Sequence, residues 1–305
     1  MLQQNPWRAY TLLAGLIIVW GINWPMMKIG IEYISPLWFC AARLALGSLC
    51  MFLLLFGMRR FRLPTRQDIP NIITIAIFQM AIYLCMISLA LQHVNVGQSA
   101  ILSYTSPLWV APVAIFIFKE LVSPLKIIGL LLALIGVIIL FNPIGHDWSD
   151  TSLLIGNIEL FLASICFAIT ILYSRFAKWY NVPLILIPWQ LALGSVLTLI
   201  LALIFEPHPV IQGGMPLVLV LAYTSVLASA FAYWCMITIS KILPAITTSL
   251  ALLGVPLLGL LLATFFLHEP FTLTLGLSIG LFLLGMALVN IADWLMMRRR
   301  AIAHH

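Results

Sequence analysis

The sequence predicts an all-α integral membrane protein: ten transmembrane helices in two inverted five-helix repeats, with both termini in the cytoplasm. Three observations lead there. First, of 305 residues 63% are hydrophobic and only 8% are charged, against about 25% charged in a soluble domain. The mean hydropathy is +1.14. Second, charges and turn residues cut the chain into ten apolar stretches, each near the ~20 residues that cross a bilayer. Third, short motifs of the first half recur, in order, in the second. So little polar material cannot surface a soluble fold, which excludes a soluble enzyme, a nucleic-acid binder and a disordered scaffold.

The predicted spans are 8–30, 35–57, 69–91, 95–118, 123–142, 152–175, 183–205, 216–239, 242–267 and 272–296. The first opens like a signal peptide, with Arg8 before an apolar run. It continues past Trp20 to Pro25 and Lys28 without a small-residue cleavage site, so it is expected to be a permanent span. Stretches such as Leu130–Phe141 and Leu257–Leu267 are apolar all round, which fits helices and not the alternating pattern of a barrel strand. The connectors are too short to hold an extramembrane domain.

With the N-terminus inside, 13 of the 15 basic residues fall on the cytoplasmic side, including Arg59, Arg60, Arg62, Arg66 and Arg298–Arg300. This is the positive-inside asymmetry. The net charge of +6 is then an orientation signal and implies no nucleic-acid partner. All five cysteines lie within spans, so no disulfide framework is expected.

The halves correspond. Pro36 and Arg43-Leu44-Ala45-Leu46-Gly47-Ser48 recur as Pro183 and Gln190-Leu191-Ala192-Leu193-Gly194-Ser195, 147 residues on. Lys28 falls on Arg175 and Trp20 on Phe167 at the same offset. Tyr83 with Cys85-Met86-Ile87 recurs as Tyr233 with Cys235-Met236-Ile237 at 150, and Pro107, Glu120 and Gly136 recur as Pro256, Glu269 and Gly285 at 149. The expected units are 1–142 and 152–296, followed by a cytoplasmic tail, 297–305. Because five is odd, the second copy enters the membrane upside down, an architecture expected of a secondary transporter.

Polar groups inside spans are functional candidates because each is costly in lipid unless partnered. Trp20, Asn23 and Trp24 lie near the middle of the first span, where Pro25 frees the Gly21 carbonyl; Gly21 and Pro25 are candidate hinges. Gln79 and Tyr83 share one face of the third span, as do their equivalents Ser229 and Tyr233 on the eighth. Ser103 and Tyr104 on the fourth span and Trp189 on the seventh complete the candidate substrate-binding set. Pro107 and Pro256 are further hinge candidates. Arg43 and Glu159 each lie about 10 Å below the outer face; matching depth predicts an intramembrane ion pair. Lys28 and Arg175 are expected to snorkel to the interface.

These residues resemble the drug/metabolite transporter superfamily, in its EamA-type branch of ten-span bacterial exporters with two EamA repeats. The resemblance is carried by Trp20-Gly21 with Lys28, Pro36 with Arg43, Pro107 followed by Glu120, and Pro256 followed by Glu269-Pro270. It implies a basket-like bundle around a central cavity in a bacterial inner membrane. It also implies export or exchange of amino acids, related metabolites or amphiphiles by alternating access. The second copy departs from the pattern at Phe167-Ala168 and Gln190.

A nucleotide-sugar or phosphorylated-metabolite transporter is the alternative substrate class, and an integral-membrane enzyme the alternative of another kind. Against an enzyme, His93, His146, His208 and His268 sit in separate loops without metal-ligand spacing. No cofactor or metal is called for. The expected partners are a small-molecule solute and the lipid bilayer, and a monomer is expected.

Overall fold

The computed structural model describes residues 6–119, 122–141 and 150–266, and individual positions between 273 and 295. Glu120, Glu269, Pro270, His146, His268 and the tail lie outside the described residues. No strand element occurs among the described residues.

Helices α1 (Pro6–Tyr33) and α2 (Pro36–Gly57) are followed by the third predicted span. That span is composite: α3 (Ile69–Ile75), a π-helical segment π1 (Ala76–Tyr83) and α4 (Leu84–Ala90). The fourth is broken in the middle, into α5 (Val96–Ser103) and α6 (Pro107–Phe116). After α7 (Pro124–Phe141) come α8 (Thr151–Phe176) and α9 (Pro183–Phe205). The eighth span is again composite: α10 (Met215–Ala222), π2 (Tyr223–Phe231) and α11 (Ala232–Ile242). The ninth is again broken, into α12 (Ala245–Ala251) and α13 (Gly254–Phe266). Every described position between 273 and 295 is helical.

Eight of these stretches are long and apolar enough to cross a membrane: Ala9–Tyr33, Pro36–Gly57, Arg66–Ala90, Val96–Phe116, Thr151–Phe176, Pro183–Phe205, Met215–Ile242 and Thr247–Phe266. Their outer faces are apolar, with Leu53, Leu203, Phe205 and Leu219 among the exposed side chains, as a lipid-facing surface requires. The helix starts are chemically marked. Proline opens α2, α6 and α9, where its missing N–H costs nothing, and the Asp150 carboxylate accepts the N–H groups of Ser152 and Leu153 at the start of α8.

The elements meet through contacts that come in matched pairs. Ser48 donates to the Pro188 carbonyl (2.9 Å) and Ser195 to the Ala41 carbonyl (3.1 Å); donors and acceptors are both 147 apart, so α2 and α9 exchange the same bond. Gly47 and Gly194, also 147 apart, let α2 come close to π2 and α9 close to π1. A methyl on Gly47 would sit 2.9 Å from the Ser225 carbonyl of π2, and one on Gly194 would overlap Met80 of π1.

Lys28 donates to the Leu91 carbonyl (2.7 Å) and Arg175 to the Lys241 carbonyl (2.8 Å). At these span ends both cations cap the C-terminal carbonyls of a neighbouring helix, which the helix dipole favours.

Two carboxylates tie connectors to turns. Asp68 accepts from Tyr180 N, Asn181 N and the Asn181 amide. Glu206 accepts from Leu37 N and Trp38 N, 3.1–3.4 Å away, at the start of α2. Beside it, Ser35 and Val210 and then Tyr33 and Gln212 pair backbone to backbone. Burial raises the Glu206 carboxyl above the ordinary carboxylate range, against the two N–H bonds.

Candidate functional site

A small central cavity is lined by Trp20, Asn23, Trp24 and Met27 of α1, Arg43 of α2, Tyr83 of π1, Leu84 and Ile87 of α4, Tyr104 and Tyr233. Its volume is about 20 Å³, which is room for a water or two. The rings form a reciprocal set. Trp20 packs edge-on against Tyr233 at 5.4 Å, and its repeat equivalent Phe167 packs against Tyr83 at 5.2 Å. Trp20 and Phe167 also touch each other at 5.9 Å, and Tyr104 closes the group on Phe167 at 5.4 Å and on Trp24 at 6.5 Å. Such edge-to-face contacts favour one arrangement of the rings.

The irregular backbone explains how these side chains reach one place. Tyr104 lies in the break between α5 and α6, where Tyr104 N and Thr105 N turn back onto the carbonyls of Ile101 and Leu102. The corresponding break in the ninth span, at Leu252–Leu253, lies 148 to 149 residues on. Here Pro107 and Pro256 begin new half-helices: Pro107 is the first residue of α6 and Pro256 the third of α13. In π2, carbonyls that α-helical bonding would occupy are taken by side chains. The Trp20 indole donates to Ala228 O (2.9 Å), and Ser229 donates to Thr224 O (2.8 Å). A π-bulge commonly marks a functional position in a helix.

Arg43 is 1% exposed. Its Nε donates to Ser229 Oγ at 3.1 Å, and Nη2 makes two longer bonds of 3.4 Å, to Asn23 Oδ1 and Thr224 O. The guanidinium also lies 5.9 Å from the Phe39 ring centroid and within electrostatic reach of the Tyr83 and Tyr233 phenols.

Of the ten predicted substrate-binding residues, Trp20, Asn23, Trp24, Tyr83, Tyr104 and Tyr233 line this cavity. Ser229 stands behind Arg43 and orients it. Gln79 is buried beside the set, against the Tyr233 phenol. Ser103 lies behind the lining: its hydroxyl donates to the Ala100 carbonyl of its own helix at 3.0 Å and stands beside the Tyr83 phenol. Trp189 is corrected. It packs on Phe52 at 5.0 Å and Phe61 at 6.2 Å, because the neighbouring Gln190 is the residue that α9 turns inward, to the Asn71 carbonyl.

The Arg43–Glu159 ion pair is overturned. Arg43 spends its donors on Asn23, Ser229 and Thr224, while Glu159 Oε2 has no partner among the described residues. Equal depth was a sound inference, but azimuth decides. Arg43 faces π2. Glu159 stands at the edge of the buried face of α8, between exposed Ile155 and Leu162 and buried Gly156 and Ala163. At Pro25, unlike Pro107 and Pro256, the helix is not interrupted: α1 runs unbroken from Pro6 to Tyr33. Gly21 there lies against Leu258, and Trp24 against Gly259; this packing onto α13 holds the turn ahead of the proline.

Three features of the cavity carried weaker signals. Met27, Leu84 and Ile87 are indistinguishable by type from core residues. Phe167 was visible as the repeat equivalent of Trp20. Arg43 was visible as an intramembrane charge, but its place on the cavity wall was not.

A helical bundle with an apolar exterior, broken spans and a central aromatic cavity defines a multi-pass membrane transporter. A model of the EamA-like transporter family matches residues 7–142 and again residues 154–291. The chain belongs to the EamA-like transporter family. It is similar to the uncharacterized transporter YoaV of Bacillus subtilis, 27% identical over 267 residues, covering 87% of this chain and 91% of YoaV. It is also similar to the uncharacterized inner membrane transporter YedA of Escherichia coli, 26% identical over 302 residues, 95% of this chain and 93% of YedA. A protein of known crystal structure shares the fold with a TM-score of 0.72 at 17% identity, over 94% of this chain and 98% of that one.

Proposed function

We propose that the protein is a secondary transporter that exports small organic solutes, amino acids or related metabolites and amphiphiles, by alternating access. It does so as ten spans in two inverted repeats, with both termini cytoplasmic, in the inner membrane. The observation that carries this reading is the pairing of irregular backbone around the cavity. The third and eighth spans each contain a π segment, and the fourth and ninth are each broken, at equivalent positions of the two family matches. Interrupted helices at mid-membrane are where transporters meet their substrates. Support for a two-fold relation comes from the exchanged contacts: Ser48 and Ser195, Lys28 and Arg175, Trp20 on Tyr233 and Phe167 on Tyr83.

The mechanism follows from the size of the cavity. A space for a water or two cannot hold an organic solute, so loading requires one set of half-helices to move away. The residues proposed to meet the solute are Trp20, Asn23, Trp24, Tyr83, Tyr104 and Tyr233. Pro107 and Pro256, each opening a half-helix, are the proposed pivots. A single cation in the lining fits an amino acid or amphiphile better than a nucleotide, whose several phosphates would need several basic groups.

The test is flux of a panel of labelled amino acids into liposomes holding the purified protein, with and without an imposed pH gradient. Saturable flux of at least one solute, abolished by closing the site with Tyr104→Trp, is expected. No flux of any small solute, with a reaction product instead, would refute the transporter reading.

A further inference from the structure

Arg43 is a permanent cation in the interior of a membrane bundle. Its partners, Ser229, Asn23 and the Thr224 carbonyl, are all uncharged, and Nη1 has no partner among the described residues. A buried charge without a counter-ion is costly, and a guanidinium cannot relieve the cost by losing its proton. The described lining of the adjoining cavity contains no Asp or Glu. Among the described residues the titratable groups that face Arg43 are the Tyr83 and Tyr233 phenols and the Cys40 thiol, and none is a carboxylate, which leaves the negative charge to a ligand of the cavity.

We propose that Arg43 is an anion subsite that receives a single carboxylate of the solute, whose apolar body lies against the rings of Trp20, Trp24 and Tyr83. This rests on the transporter reading above and adds to it the group that Arg43 holds: one carboxylate, with no second negative charge beside it. The bonding around the guanidinium is graded in a way that serves this. Nε is held by Ser229 at 3.1 Å, which orients the fork. Nη2 makes only 3.4 Å bonds, and Nη1 makes none. A carboxylate across Nη1 and Nη2 gains two parallel charge-assisted bonds and gives up only the two long ones. A dicarboxylate or a phosphate dianion would leave an excess negative charge among rings. The carboxylate has two sources: an α-amino acid, whose ammonium the ring faces can receive, or an acid lacking the ammonium.

The test is equilibrium dialysis of the purified full-length protein in detergent against four labelled probes with one benzyl body: phenylalanine, phenylpyruvate, phenylalaninamide and phenethylamine. At least one of the two carboxylates is expected to bind at millimolar concentration. The amide and the amine should bind at least about tenfold more weakly. A preference for phenylalanine assigns amino acids as the source and the reverse assigns acids without the ammonium; both support the subsite.

Arg43→Gln should weaken binding of that carboxylate by about tenfold or more, and Arg43→Lys, which keeps the charge without the fork, by less. Equal binding of acid and amide by the unmodified protein overturns the proposal without any variant having to fold. So does the absence of binding by both carboxylates, or unchanged carboxylate binding in a folded Arg43→Gln protein. Flux separates this from the transporter reading. If Arg43→Gln moves a solute as fast as the unmodified protein does, the subsite falls and the transporter stands. If carboxylates bind but nothing is moved, the transporter falls and the subsite stands.

Discussion

Gly47→Ala tests whether the close approach of α2 to π2 holds the site together. An alanine methyl there would lie 2.9 Å from the Ser225 carbonyl oxygen and 3.5 Å from Ser229 Cβ, where ordinary contact begins near 3.4 Å. The oxygen belongs to backbone and cannot swing away, so helix and π segment must part by roughly 0.5 Å, enough to forfeit about a quarter of the dispersion across the seam. Overpacking of this kind costs about 1–3 kcal/mol. Alanine recovers about 1 kcal/mol over glycine in a helix, which leaves a net loss of about 1 kcal/mol.

Gly15 supplies the control, because a methyl there meets no atom within 4 Å; Gly15→Ala should gain about 1 kcal/mol. The two variants should differ by about 2 kcal/mol, roughly 4 °C in apparent melting temperature for a protein of this size. The measurement is paired thermal unfolding in one detergent at one scan rate, since the transition of such a protein is under kinetic control. If Gly47→Ala melts at or above Gly15→Ala, the α2–π2 seam is not tightly packed and the reasoning fails.

Three further expectations concern other parts of the molecule. Phe167→Ala removes the fully buried ring that Trp20, Tyr83 and Tyr104 share, and should destabilise the protein by about 3–5 kcal/mol in the same unfolding assay; a loss below about 1 kcal/mol would mean the ring set collapses without cost. Glu159→Gln should leave the melting temperature unchanged or slightly raised, because it neutralises a carboxylate with an unpartnered oxygen; a large loss would revive the ion pair. The Glu206 carboxyl is raised by burial, so the folded state holds its proton longer than the unfolded chain does. Stability should therefore fall as pH rises from the ordinary glutamate range through the raised value, then level off. Glu206→Gln should remove that step from a melting-temperature series across pH, and an identical series in both proteins would contradict the assignment.

Much of the fold is legible without coordinates. The seventh predicted span, 183–205, coincides with α9, and the second, 35–57, differs from α2 by one residue. Hydropathy locates such elements because the bilayer imposes its length on each separately. The π segments were not legible: nothing in Ala76–Tyr83 or Tyr223–Phe231 differs in composition from an α-helical span, and what marks π2 is the side chains that arrive from elsewhere. The Trp20 indole and the Arg43 guanidinium occupy carbonyls of π2 from helices some two hundred residues away in sequence. The aromatic candidates were found because repetition singled out Tyr83 and Tyr233 together. Trp189 misled, because residue type and depth do not say which way a helix is turned.

By itself, then, the sequence determined that the chain lives in a bilayer, where most of the described spans lie, and which motifs of its first half recur in its second. These are one-body properties, set by the transfer of each segment into lipid, or comparisons of the chain with itself. Only the tertiary structure decided the partner of Arg43. Depth is a linear coordinate that can be counted at 1.5 Å per residue, and Arg43 and Glu159 share it. Azimuth depends on which helix packs against which face, and it gives Arg43 to Ser229, Asn23 and Thr224, leaving the charge open to the cavity.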